Sequence, residues 1–143
     1  MNGEVFVDTN VLVYAVADAQ PKRAIAQSLL SENEIVVSTQ VISEFVAVCL
    51  RKRILSGADT IKAAREFLDI LRVTTLSKTT VEAALDLMET HRFSYWDSLI
   101  IAAAIESGCS LLYSEDLQDG QFISQRLTIR NPFISPTAAA QVT

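Results

Sequence analysis

Residues 4–16 read Glu4-Val5-Phe6-Val7-Asp8-Thr9-Asn10-Val11-Leu12-Val13-Tyr14-Ala15-Val16. Glu4 to Val7 is a β-branched and aromatic run suited to a pleated, buried strand, and Val11 to Val16 follows as an apolar helical stretch. The same alternation recurs along the chain. Lys22 to Leu30 follows Pro21, a good first-turn residue, and carries Ile25, Leu29 and Leu30 on one side. Glu34 to Val37 reads as a second strand and Thr39 to Arg53 as a helix. Ser56 is expected to cap a helix whose Ile61, Ala64, Leu68 and Leu71 recur at helical spacing as a core face, and Val73 to Leu76 to form a third strand. Thr79-Thr80-Val81-Glu82 predicts a capping box for a helix carrying Val81, Leu85 and Met88. Trp96 to Ser107 is a further helix stopped by Gly108, ahead of a fourth strand at Leu111–Tyr113 and a fifth from Leu127 to Ile129. Such alternation implies right-handed crossovers and an α/β fold, a three-layer α/β/α arrangement around a central, mostly parallel sheet.

Four acids stand at the ends of apolar runs or beside them: Val7-Asp8-Thr9-Asn10, Ile42-Ser43-Glu44-Phe45, Tyr95-Trp96-Asp97-Ser98 and Tyr113-Ser114-Glu115-Asp116. A carboxylate among Val, Ile, Phe and Trp side chains loses hydration, and persists there with hydrogen bonds, a counter-ion or a metal. Each also has a plain structural reading. Asp8 can cap the helix after it, Asp97 can close a capping box opened by Ser94, and Asp116 sits in a turn-rich stretch. Glu44 is harder to explain so, being inside a helix among Val41, Ile42, Phe45 and Val46. Together the four point to a divalent cation. In a parallel sheet, functional groups gather beyond the carboxyl ends of the strands where strand order reverses. Asp8 follows the first strand, Asp116 follows the fourth and Asp97 opens a helix, so these three converge on one rim, which Glu44 joins if its helix packs nearby.

At 143 residues the chain matches the common single-domain size of roughly 100 to 150 residues. One domain is expected over residues 1–131, with a flexible tail over 132–143, a stretch holding two prolines and three alanines. The longest unbroken apolar run, Leu99 to Ile105, is far shorter than the roughly 20 residues of a membrane span. The start, Met1-Asn2-Gly3-Glu4-Val5, lacks a basic region and hydrophobic segment of the secretory kind, so a cytoplasmic location is expected.

Cys49 and Cys109 belong to no Cys-x-x-Cys pair and read as small core residues. His91, the lone histidine, is followed by Arg92 at a helix end, with no Gly-x-Ser-x-Gly elbow to suggest a hydrolytic triad. It reads as a solvated residue placed to touch a substrate phosphate. The four glycines, at 3, 57, 108 and 120, are isolated, which excludes the dinucleotide and P-loop signatures. An aspartyl-nucleophile phosphatase wants a second Asp where Asn10 stands. Oxygen-only ligands favour Mg²⁺ or Mn²⁺ over zinc. Such an ion can activate water for attack on phosphorus and neutralise phosphodiester charge; one ion and two remain open. The net charge of −5 argues mildly against a nucleic-acid enzyme, since it leaves no global basic surface; the local basic groups at Arg51-Lys52-Arg53, His91-Arg92, Arg126 and Arg130 read equally as solvated helix ends and as nucleic-acid contacts.

In order and spacing, Val7-Asp8-Thr9-Asn10-Val11-Leu12, Ser43-Glu44-Phe45, Tyr95-Trp96-Asp97-Ser98-Leu99 and Ser114-Glu115-Asp116-Leu117 resemble the acidic motifs of the PIN-domain family, most closely its VapC-type toxins, over about residues 4 to 130. The resemblance implies a metal-dependent endoribonuclease, the toxin of a toxin–antitoxin pair. Asp8, Glu44, Asp97 and Asp116 would be its catalytic and metal-binding centre, and its products would carry 5′-phosphate and 3′-hydroxyl ends. It also implies supporting hydroxyls at Thr9 and Ser114, an auxiliary acid at Asp119, a homodimer, and a small antitoxin that places an Arg-containing tail in the acidic cleft. Asp119-Gly120 equally fits a plain turn. The competing reading is a catalytically idle α/β interaction domain whose acidic cleft holds a basic peptide or a structural ion.

Overall fold

The computed structural model describes residues 3–134. Glu4–Val7 forms β1 with its last three residues buried, and helix α1 begins at once at Thr9–Val16. There follow α2 (Lys22–Glu32), β2 (Glu34–Ser38), α3 (Thr39–Arg51), α4 (Gly57–Ile70), β3 (Arg72–Thr74), α5 (Lys78–Thr90), α6 (Tyr95–Glu106), β4 (Leu111–Tyr113), β5 (Phe122–Ile123) and β6 (Leu127–Arg130). The strands form one six-stranded sheet in the order β3-β2-β1-β4-β6-β5, parallel except for the β5–β6 pair.

Strand order therefore runs outward from β1 to β2 and β3, then returns to the other side of β1 for β4. With the right-handed crossovers such units adopt, α1 to α4 cover one face of the sheet and α5 and α6 the other. The packing agrees: α1 touches α2 and α3, α3 touches α4, and α5 lies on α6, which itself rests on β2 and β4. This is the three-layer α/β/α arrangement. The reversal point lies between β1 and β4, and the chain leaves both strands there, at Asp8 and at Ser114.

Helix α6, whose first turn carries Asp97, is anchored in the core. The run Leu99 to Ala104 is buried all round, as a helix apolar on every face must be. Small residues, Ala102 to Ala104 on α6 and Ala84 on α5, let the two helices approach closely. Gly108, at φ +79°, ends α6, with Cys109 N–H donating to the Ala104 carbonyl at 3.2 Å in a Schellman turn.

Some expectations shift. On α4 the core face is Thr60 and Ala64, with Ala63, Phe67 and Leu71 partly buried, whereas Ile61 and Leu68 are 56% and 48% exposed. Phe67 sets that phase by meeting Phe45 edge-on at 5.2 Å. The α5 box is Ser77 with Thr80, each side chain accepting the other's amide, and Thr80 Oγ1 donates to Glu106 at 2.8 Å. That turns Leu85 and Met88 outward and buries Ala84 and Leu87. α3 stops at Arg51, short of Arg53, and β3 starts at Arg72, ahead of Val73. β5 was not foreseen, because Phe122 is exposed and the turn after it puts Ser124 and Gln125 at φ 52° and 54°, a left-handed pair usually supplied by Asn-Gly. Residues 135–143, most of the expected tail, lie outside the described residues. Phe133 meets the Tyr14 ring edge-on at 4.9 Å.

Candidate active site

Asp8 is the innermost acid, 7% exposed at the end of β1. Its Oδ1 accepts the Thr9 amide at 2.7 Å as the cap of α1, and its Oδ2 accepts the Ser114 hydroxyl at 2.8 Å. Ser114 Oγ in turn accepts the amides of Asp116 and Leu117 at 3.2 and 3.4 Å, so one buried hydroxyl ties the ends of the two central strands together. Asn10 completes the clasp, donating from Nδ2 to Asp116 Oδ2 at 3.3 Å and accepting the Glu115 amide on Oδ1 at 3.2 Å.

Glu44 comes from α3, half-buried. Its Oε1 accepts Gln40 Nε2, one turn earlier, at 3.0 Å and lies 3.5 Å from the Thr9 hydroxyl. Gln40 also donates to the Trp96 carbonyl at 3.1 Å, linking α3 to the first turn of α6 where Asp97 sits. Ser94 caps that helix by accepting the Asp97 amide at 3.1 Å, the one direction of the expected box that is formed. Among the described residues, two buried side-chain atoms have no hydrogen-bond partner, Gln40 Oε1 and Ser98 Oγ, and both belong to residues touching or adjoining these acids.

The electrostatics join all four carboxylates. Burial pushes the Asp8 carboxyl from 3.8 up to about 6, against the lowering effect of its Ser114 and Thr9 hydrogen bonds, and the charges of Asp116 and Glu44 push the same way as burial. Glu44 is likewise raised, first by burial and then by Asp97 and Asp116, while Gln40 and Thr9 pull it down. Acids from four separate segments thus act on one another at the strand-order reversal. Among the described residues no three His, Cys, Asp or Glu side chains close into a ready metal cage. Mg²⁺ keeps several of its waters and commonly takes only one or two carboxylates directly, so an open cluster of oxygen donors fits a hydrated hard cation.

The other sequence candidates fall as follows. Thr9 and Ser114 are buried and bonded to the acids as above. Asp119 accepts the Asn131 amide at 2.8 Å and precedes Gly120, whose φ of +84° brings Arg130 Nη1 within 3.2 Å of where a Cβ would stand. Asp119 thus has a turn-holding contact and is not among the charges acting on Asp8 or Glu44. Cys49 and Cys109 are buried and unpaired, away from the acids' contacts. His91 caps the carboxyl end of α5 and stacks on Phe93.

Sequence reasoning missed three supports. Asn10 was visible only as a departure from the phosphatase pattern, and Gln40 was signalled by its four-residue spacing from Glu44. The third, the ion pair of Lys22 with Glu115, joined by the Tyr14 hydroxyl at 2.7 Å from Glu115, had no local signal because its partners are far apart in the chain. Burial alone would raise Glu115, but the bonds from Lys22 and Tyr14 outweigh it and hold the carboxyl below its ordinary value.

Comparison with known proteins agrees with this geometry. The family pattern described as PIN domain matches residues 5–119. No curated protein matches the sequence at a significant level. Among solved structures, the chain is similar to VapC20 of Mycobacterium tuberculosis, described as a toxin cleaving the sarcin–ricin loop (19% identity, 78% of this chain and 91% of that one, TM-score 0.67). It is also similar to a toxin–antitoxin complex from Klebsiella pneumoniae (16%, 92% and 99%, TM-score 0.71) and to VapBC-1 of nontypeable Haemophilus influenzae (16%, 92% and 99%, TM-score 0.67). At such identities the solved structures speak for the fold alone, whereas the pattern match covers most of the chain and includes all four acidic motifs, and the chain belongs to the PIN domain family.

Proposed function

We propose that the protein is a Mg²⁺- or Mn²⁺-dependent endoribonuclease, the toxin of a toxin–antitoxin pair, with Asp8, Glu44, Asp97 and Asp116 as its metal-binding and catalytic acids. The observation that carries this reading is the buried Asp8, raised to about 6 by burial with the charges of Asp116 and Glu44 adding to it. A chain has no structural need to gather repelling acids at the reversal point of a parallel sheet, and a cation removes the cost. The solved relatives include toxin–antitoxin complexes, which supports a small antitoxin as partner.

When bound, the cation supplies Lewis-acid stabilisation of the phosphodiester and lowers the pKa of water at the site. The chain's own residues provide the rest. Ser114 and the Thr9 amide fix both Asp8 oxygens, so that carboxylate enters the reaction already oriented. Gln40 and Thr9 hold one oxygen of Glu44, and Asn10 aligns Asp116. We assign Thr9 and Ser114 supporting roles, and Asp119 the auxiliary position that the family resemblance gives it, in an enzyme acting as a homodimer. An antitoxin Arg would bridge two of these carboxylates with its planar fork.

The test is cleavage of a cellular RNA pool by purified protein with Mg²⁺, with and without EDTA, read by end sequencing. Asn at Asp8, Asp97 or Asp116, or Gln at Glu44, keeps size while lowering ligand charge, and each should cost at least ~100-fold, as loss of one electrostatic stabiliser does. Cleavage that survives EDTA, or proceeds in Asp97→Asn at the wild-type rate, removes the metal–carboxylate mechanism. Absence of any cleavage by wild type, with Mg²⁺ still bound, favours the idle acidic interaction domain.

A further inference from the structure

A cleft of about 350 Å³ opens beside Asp116, walled by His91, Arg92, Phe93, Gln118 and Gln121. Its walls are built. On one side α5 ends with His91, whose amide donates to the Leu87 carbonyl at 2.8 Å. The imidazole lies on the Phe93 ring at 5.2 Å with 15° between planes, and its Nδ1 is 2.9 Å from Thr90 Oγ1. On the other side the loop after β4 is pinned by backbone bonds: Gln121 N–H to Gln118, Gly120 N–H to Ile129, and Ile129 N–H to Gln121 at 3.3, 2.7 and 2.9 Å. The Gln118 and Gln121 side-chain amides make no hydrogen bond among the described residues, and the Arg92 guanidinium has no partner among them either. A fixed backbone thus carries uncommitted recognition groups.

That set matches the needs of one unpaired nucleotide. Arg92 offers charge to a phosphate, the stacked His91–Phe93 pair a flat surface for a base, and each amide both a donor and an acceptor for a base edge. The volume lies at the low end of small-ligand sites, roughly 300 to 1,000 Å³, which admits a nucleotide and not a duplex. The cleft shares Asp116 with the acid cluster, so an occupant there continues directly into the phosphodiester at that cluster. Two clefts of about 390 and 480 Å³, one between α5 and α6 and the other along α2, contain none of the four acids. In a chain of net charge −5, an uncommitted cation beside Asp116 also lowers the repulsion that an RNA strand meets there.

We propose that this cleft is a nucleotide subsite, holding one unpaired nucleotide adjacent to the bond that is cut, with Arg92 on its phosphate and Gln118 and Gln121 reading its base. The proposal rests on the ribonuclease reading for its bond-cutting half, but not for binding. The experiment uses the full chain in EDTA and a fluorescein-labelled single-stranded RNA 10-mer of mixed sequence, followed by anisotropy, then Mg²⁺ cleavage of an RNA pool with end sequencing. Arg92→Ala should weaken binding about tenfold, the loss expected of one charge-assisted contact. Gln118→Ala with Gln121→Ala should leave affinity within about threefold yet flatten the base preference at one position beside the cut. Lys62→Ala, at an exposed position on α4, should change neither. Equal binding of a duplex of the same sequence, equal losses in Lys62→Ala and Arg92→Ala, or unchanged affinity and base preference in the cleft variants, each overturn the subsite while leaving the ribonuclease reading intact. Arg92-dependent binding of the single strand without any RNA cleavage upholds the subsite and removes the ribonuclease reading.

Discussion

Asp8→Asn should stabilise the metal-free protein, and do so in proportion to pH. The folded carboxyl titrates near 6 against an ordinary 3.8, so the folded state holds the proton more tightly than the unfolded chain. Ionised Asp8 therefore works against folding. Its cost is fully present above about pH 7, where it amounts to about 3 kcal/mol, falls to roughly half near pH 5, and vanishes below the ordinary carboxylate range. Asparagine removes that cost but leaves the Ser114 hydroxyl facing an amide N–H₂ in place of Oδ2, a loss of about 1 kcal/mol for one disrupted hydrogen bond. The balance at pH 8 in EDTA is a gain of about 2 kcal/mol, or roughly 4 to 8 °C in Tm for a chain of this size. The gain should disappear by pH 4. The assay is urea and thermal unfolding of both proteins across that pH range, repeated with Mn²⁺, which should stabilise wild type by about 2.7 kcal/mol at a hundredfold excess over Kd and the variant by less. A variant that melts below wild type at pH 8 in EDTA, or a difference independent of pH, refutes the picture of a desolvated, repelled carboxylate.

Two further outcomes follow from other parts of the structure. Lys22→Ala should cost under about 1 kcal/mol, because the Lys22 side chain is 39% exposed and solvent screens the pair. Since Glu115 titrates below its ordinary value, that contribution is present above the ordinary Glu range and lost as pH falls through the folded value; equal urea midpoints for the two proteins at pH 7 and at pH 3 would contradict it. The thiols of Cys49 and Cys109 are both raised by burial, Cys109 to about 11, so at pH 8 alkylation should proceed only as fast as the protein opens, and mass spectrometry showing prompt labelling of native protein would contradict their placement.

The alternation beginning at residues 4–16 was enough to read the layered parallel sheet, because a strand buried on both faces and a helix with one apolar side leave different periods in the chain. Phase was harder. Ile61 and Leu68 obey helical spacing yet face outward, since the Phe67–Phe45 contact decides which side of α4 turns inward and no local pattern encodes it. The acids themselves stood out by their apolar neighbours. Of their supports, the hydroxyls of Thr9 and Ser114 came only with the family resemblance, and Lys22, which reaches Glu115 across 93 positions, did not come at all, because a single sequence carries no pairing signal over such a distance. β5 escaped notice because two residues in a left-handed turn, Ser124 and Gln125, are not of the types that usually mark one.

The Ser114–Asp8 bond also ties the site to the pairing of sequence-distant strands. β1 opens the described chain, its neighbour β4 follows β2, β3 and α1 to α6 in sequence, and Asp8 and the Asp116 amide share the Ser114 hydroxyl only with β4 beside β1. The β1–β4 pairing is thus a contact of long sequence separation, whose closure costs chain entropy that the central sheet must repay. With β4 undocked, every acid is still in the chain but the Ser114 bridge between Asp8 and Asp116 is not, so the acid cluster exists only while the two central strands are paired.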